Sequence, residues 1–166
     1  LEAGGTSYGV LGCGVDICYP KENQVLYDQL TVQGGVLSEY VPGTAAKANL
    51  FPPRNRIISA LSDAVVVVEA RKKSGTIITV DMALEQGKEV MVVPGRVGDG
   101  LSEGCNDLLR QGAPPVLETA DILKTGFTLI SALFCRASYS SARSASPQRV
   151  LYSSLFIFSL YSSYIS

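Results

Sequence analysis

Residues 64–68 form an unbroken run, Ala-Val-Val-Val-Val. It is mostly β-branched and shows no polar alternation, the pattern of a strand buried on both faces of a parallel sheet. Residues 89–93, Glu-Val-Met-Val-Val, read the same way. Between them, residues 76–86 set Ile77, Ala83 and Leu84 near helical spacing, and Gly87 supplies the residue that can end a helix in a left-handed conformation. Strand, helix, strand in this order predicts a right-handed βαβ crossover. Ligands of such sheets gather outside the carboxyl ends of the strands, so the loops 69–76 and 94–96 converge on one edge. The whole unit, residues 51–95, suits phosphate binding better than covalent chemistry.

The pattern extends to both sides. Residues 9–14, Gly-Val-Leu-Gly-Cys-Gly, read as a short strand ending in glycines that permit backbone approach to a ligand, although the spacing is not GxGxxG. Residues 21–33 place Val25, Leu26 and Leu30 on one helical face, with Gly34 and Gly35 as the stop, and a short strand is predicted at 36–38. Residues 39–53 are rich in Pro, Gly and Ala and predict an irregular loop. A short helix follows at 54–61, with Ile57, Ile58 and Leu61 inward and Arg54 and Asn55 free at its start. Further on, a helix is expected at 106–111, a strand near 115–117 and a helix from Thr119. The αβ pattern closes near Lys124.

Composition then narrows the chemistry. With 166 residues the chain is long enough for one domain with a substantial core. Net charge is −1, so nucleic-acid binding would have to come from a local patch. There is no histidine, and the cysteines 13, 18, 105 and 135 form no CxxC pair, which disfavours a metal site and histidine-base catalysis. The opening residues hold no charged-then-apolar leader, so a cytoplasmic protein with reduced thiols is expected, its upstream part missing from the chain. Residues 125–166 differ in kind, with twelve serines and no acidic residue, while all fifteen Asp and Glu lie at or before Asp121. That tail reads as disordered or out of frame, and its apolar end falls short of the roughly 20 residues of a membrane helix. One αβ domain over 1–124 and an atypical tail over 125–166 are therefore expected, with no membrane partner.

Phe51, Arg54, Asn55 and Arg56 make the sharpest constellation. Guanidinium forks match phosphate oxygens, a helix start adds backbone donors, and an aromatic ring offers a base a stacking surface. These are the parts of a single-stranded nucleic-acid site. The bland alternative is that an arginine pairs with a nearby carboxylate and Phe51 packs beneath the loop. Lys21, following Tyr19 and Pro20, can reach the same edge. Ser74, Gly75 and Thr76, after the basic run Arg71, Lys72 and Lys73, can cradle one phosphate, but they lack the lysine and spacing of a Walker A loop. Glu69 has no partner spaced to it for acid–base work.

The order LGCGVDICYPKEN, LSEY, FPPRNRIISALSDAVVVVEA, KSGTIITVDMALEQGKEVMVVPG and GCNDLLRQGA resembles the DNA-processing protein A (DprA/Smf) family over about residues 1–123. The resemblance implies an α/β fold, an open and mostly parallel Rossmann-like sheet with helices on both faces, here as a partial domain. It implies a homodimer that binds single-stranded DNA, protects it and passes it to the RecA recombinase in natural transformation, with no catalysis and no cofactor. By motif, the family's DNA contacts fall on Lys21, Phe51, Arg54, Asn55 and Arg56, while Ser74, Gly75 and Thr76 match a motif of secondary standing. The family's earlier Gly-Ser-Arg phosphate loop and its winged-helix module have no counterpart in the chain. The alternative is a Rossmann-like enzyme of the nucleotide phosphoribohydrolase type using Glu69 and the Ser74–Thr76 turn, against which counts the absence of a PGGxGTxxE motif.

Overall fold

The computed structural model describes residues 1, 6–123, 130–136 and 156–161. Six strands form one sheet: β1 (Thr6–Val10), β2 (Gly34–Leu37), β3 (Ala64–Glu69), β4 (Glu89–Val92), β5 (Ile130–Arg136) and β6 (Phe156–Tyr161), in the order β2-β1-β6-β5-β3-β4. β1 pairs in parallel with β2, and β3 in parallel with β4 and β5, while β6 runs antiparallel to both of its neighbours. The first five strands therefore point one way, and the loops after β1 and β3 open at the same edge, as the sequence predicts. β5 and β6 fall within the stretch expected to be a tail; the remainder of that expectation lies outside the described residues.

Five helices flank the sheet: α1 (Gln24–Gln33), α2 (Phe51–Leu61), α3 (Gly75–Glu85), α4 (Glu103–Arg110) and α5 (Thr119–Leu123). Alternation along the strands decides which face each helix covers. Val10, Val65, Val67, Val90 and Val92 pack with Ile58 of α2, Val80 and Ala83 of α3, and Cys105 and Leu108 of α4. Val66 and Met91 point the other way, onto Val116 and Ile122. Gly9 faces Leu30 of α1 on that second side. Helices thus lie on both faces. Val65, Val66 and Val67 are fully buried, each contributing roughly 1.5–3 kcal/mol, which is why this uninterrupted run carries the centre of the molecule.

Several local expectations shift. α2 starts at Phe51, three residues before the predicted start, because prolines fit the first turn, where amide hydrogens have no intrahelical acceptor. α1 does end at Gln33 with Gly34 as its C-cap residue, and Gly34 and Gly35 are at the same time the first residues of β2, where a Cβ at Gly34 would lie 1.8 Å from the Ser7 carbonyl oxygen. The inward face of α3 is formed by Thr76, Thr79, Val80 and Ala83, whereas Leu84 is 55% exposed. Leu61 of α2, expected inward, is 47% exposed. Gly87 does take the left-handed conformation, with φ +69°, and turns the chain from α3 into β4. The predicted strand near 115–117 is a single bridge from Pro115 to Val92.

The irregular stretch between β2 and α2 is tied down along its length. Ser38 Oγ donates to the Cys13 carbonyl at 2.6 Å, and Gly14 N–H donates to the Thr44 carbonyl at 2.8 Å. The Asp16 carboxylate accepts from Gly43 N–H with both oxygens, at 2.9 and 3.0 Å. Tyr40 Oη donates to the Leu50 carbonyl at 3.1 Å, immediately before α2.

Candidate nucleic-acid interface

β1 delivers its carboxyl end to the amino end of α2, and the contact between them organises the site. Arg54 is 0% exposed. Its Nη1 donates to the carbonyl of Val10, the last residue of β1, and its Nε donates to Asn55 Oδ1 at 3.2 Å. Asn55 is itself buried. The expectation that Arg54 and Asn55 stand free at the helix start is therefore corrected. The first turn of α2 faces inward onto β1, and the guanidinium is an internal donor to the carbonyl that ends the strand.

Phe51 sits above this junction. The Arg54 guanidinium carbon lies 5.5 Å from the Phe51 ring centroid, a cation–π contact. The ring also rests against Gly12, where a Cβ would come within 2.7 Å of Cδ1. The Gly-Val-Leu-Gly-Cys-Gly turn thus uses its glycine to admit an aromatic ring of the protein itself. Beside Phe51 stands Tyr19, with ring centroids 6.0 Å apart and planes inclined by 33°, within the range of favourable aromatic pairs. Tyr19 is 44% exposed. Two residues on, Lys21 opens a 3-10 turn, Lys21–Asn23, and is exposed at the same edge. The structure thus brings together Tyr19, Lys21, Phe51, Arg54 and Asn55.

Arg56 is held differently. Its exposed guanidinium is paired with the Glu39 carboxylate, and its main-chain carbonyl accepts from Gln86 Nε2 at 3.0 Å. Ser74, Gly75 and Thr76 lie at the start of α3, with Ser74 as N-cap and Thr76 buried. The Ser74 hydroxyl makes no capping bond, and its Oγ is buried with no hydrogen-bond partner among the described residues. The basic run lines a cleft of about 590 Å³ in which Arg71, Lys72 and Lys73 face Asp99, Leu101 and Glu103. Lys72 is bound to Asp107 of α4 at 3.3 Å. Carboxylates thus share the cleft with the cations. Gly104, in the first turn of α4, donates its N–H to the Ala70 carbonyl at 2.8 Å and pins α4 beneath this loop.

Tyr19 and Asn23 are the residues that sequence reasoning missed. An aromatic residue just before Pro-Lys at a strand's carboxyl end was the available signal for Tyr19. Asn23 gave none: it is 1% exposed, and both polar atoms of its amide lack a hydrogen-bond partner among the described residues. Burial pushes the Cys13 thiol up, against a smaller opposing pull from the Arg54 guanidinium. Burial also raises the Cys18 thiol, reinforced by Asp28 and Glu22. Among the described residues, no cluster of three or more His, Cys, Asp or Glu could hold a metal ion, and no helix is long and apolar enough to cross a membrane.

Comparison with known proteins shows the family and the fold. The family model for DNA recombination-mediator protein A matches residues 1–126. The chain is 44% identical over 123 residues to the DNA processing protein DprA of Streptococcus pneumoniae, covering 74% of this chain and 44% of that protein. It is 45% identical over 125 residues to Protein Smf of Escherichia coli, covering 75% of this chain and 33% of the relative. The X-ray structure of the Streptococcus pneumoniae protein superposes with a TM-score of 0.66 at 43% identity, over 70% of this chain and 41% of the other. A structure of DNA processing protein A from Helicobacter pylori, a protein described for its single-stranded DNA binding mode, gives 0.66 at 29% identity, over 71% and 54% of the two chains. The sheet is thus Rossmann-like, as these neighbours are. The chain spans less than half the length of the curated relatives it matches. With three-quarters of its length matched by one family model, the chain belongs to the DNA recombination-mediator protein A family.

Proposed function

We propose that this chain is part of a single-stranded DNA-binding protein that protects incoming DNA and helps to load RecA recombinase in natural transformation. In this reading it acts in the cytoplasm as a homodimer, without catalysis or cofactor. The observation that carries the reading is the aromatic pair Tyr19 and Phe51 next to the exposed Lys21, on the ligand edge of a fold whose Helicobacter pylori counterpart is described for single-stranded DNA binding. A ring pair offers sequence-tolerant stacking, and a neighbouring ammonium offers a phosphate contact. Arg56 adds a cation only when it leaves Glu39. Ser74, Gly75 and Thr76 form the secondary phosphate position of this reading.

Fluorescence anisotropy of a labelled oligonucleotide at several salt concentrations tests it. Affinity falls as salt rises, with log Kobs losing about 0.7 per phosphate contact for each unit of log salt. Lys21→Ala lowers that slope by about 0.7. A wild-type chain that shows no binding at low salt, or binding indifferent to salt, refutes the reading. Release of free base from a nucleoside monophosphate would point to the phosphoribohydrolase alternative instead.

A further inference from the structure

Resting on the single-stranded DNA reading above, we infer that Tyr19 is the ring that meets a base, and that Arg54 is a positioning residue that does not contact phosphate. The two assignments come from one geometry. A guanidinium with 0% exposure, which donates inward to the Val10 carbonyl and Asn55 Oδ1, cannot reach a phosphate without parting the junction of β1 and α2. What Arg54 does is hold Phe51, 5.5 Å above which its cation is centred.

Phe51 in turn is crowded. Gly12 lies against it, Arg54 lies over it and Tyr19 stands beside it. Its ring acts as a wall that fixes the orientation of Tyr19 more than as an open platform. Tyr19 keeps 44% of its surface exposed, and Lys21 follows two residues later. Two residues span at most about 7 Å of chain, so a base stacked on Tyr19 leaves its own phosphate within reach of the Lys21 ammonium. The order of contact at this edge is therefore base on Tyr19, phosphate on Lys21, with Phe51 and Arg54 as the support beneath.

The chain contains no tryptophan, so Tyr19→Trp introduces a single indole reporter. Its emission should be quenched by oligothymidine with the same midpoint as the anisotropy titration. Tyr19→Ala should weaken oligothymidine binding by roughly 5- to 140-fold, the stacking contribution of one base, with the salt slope unchanged. Tyr19→Phe should bind as wild type. An abasic oligonucleotide should bind the wild type and the Tyr19→Ala chain equally. For Arg54→Gln, a positioning role predicts weaker binding at an unchanged salt slope, whereas a phosphate contact would lower the slope by about 0.7. Wild-type affinity in Tyr19→Ala, or a lowered slope in Arg54→Gln, overturns the inference while leaving the DNA reading standing. No binding by the wild type overturns both. Should Arg54→Gln fail to fold, the exposed Tyr19 still decides the matter.

Discussion

Gly104→Ala and Gly75→Ala make the same chemical change in the first turn of two helices, and the structure predicts opposite signs. In a helix, alanine is ordinarily favoured over glycine by up to about 1 kcal/mol. At Gly75 an added Cβ meets nothing within 4 Å, so that gain should be realised. At Gly104 the Cβ would lie 2.8 Å from the carbonyl oxygens of both Ala70 and Arg71, against 3.4 Å for an ordinary contact, and both obstacles are backbone. Either α4 or the Ala70–Arg71 main chain must move by roughly 0.6 Å, the difference between those distances. Such overpacking costs about 1–3 kcal/mol. The shift also weakens the Gly104 N–H bond to Ala70, worth about 0.5–1.5 kcal/mol. The net expectation is a loss of about 1–3 kcal/mol for Gly104→Ala, or roughly 2–12 °C in Tm for a chain of this size. Urea melts followed by circular dichroism measure both variants. A Gly104→Ala chain as stable as wild type would refute the clamp between α4 and the loop after β3.

Three further outcomes are expected. The Cys13, Cys18 and Cys105 thiols are all raised in the folded chain, in each case chiefly by burial. Folding therefore holds these protons more tightly than the unfolded chain does. Their contribution to stability is complete below the unfolded thiol value of roughly 8.5 and is lost as pH climbs from there through the raised folded values. Urea midpoints should accordingly decline above about pH 8.5, and a flat profile would contradict the burial. Peptide mapping after brief alkylation should find Cys18 modified before the buried Cys13 and Cys105. Arg56→Ala breaks an ion pair with Glu39 whose arginine side chain is 57% exposed, so stability should change by less than about 1 kcal/mol in urea melts.

The central sheet was legible because its signal is local. Four consecutive valines after Ala64 announce a strand buried on both faces, and Gly87 marks a left-handed turn that other residues rarely adopt. Helix faces were harder to read. Thr76 and Thr79 are buried while Leu84 is exposed, and Thr79 Oγ1 can enter the core because it donates to the Gly75 carbonyl at 3.3 Å. Hydrophobicity alone does not register that compensation. The candidate site was legible as a location but not as a set of roles. An arginine at a helix start reads as a solvent-facing cation, and only the meeting of α2 with Val10, forty-four positions earlier, turns it inward. Tyr19 escaped notice for the matching reason. Its significance depends on Phe51, a residue distant in sequence and adjacent in space.

The tethered stretch between β2 and α2 bears on the entropy of recognition. The bonds Ser38 to Cys13, Gly14 to Thr44 and Gly43 to Asp16 hold a segment that has little regular structure of its own against the turn after β1, and Tyr40 ties that segment to its own end at Leu50. Fixing a free residue costs about 1–2 kcal/mol of backbone entropy, so a loop that froze only on meeting its ligand would erode affinity heavily. In this chain that ordering is already complete when the protein folds. The edge carrying Tyr19, Lys21 and Phe51 is accordingly preorganised, and more of each contact's free energy remains for binding.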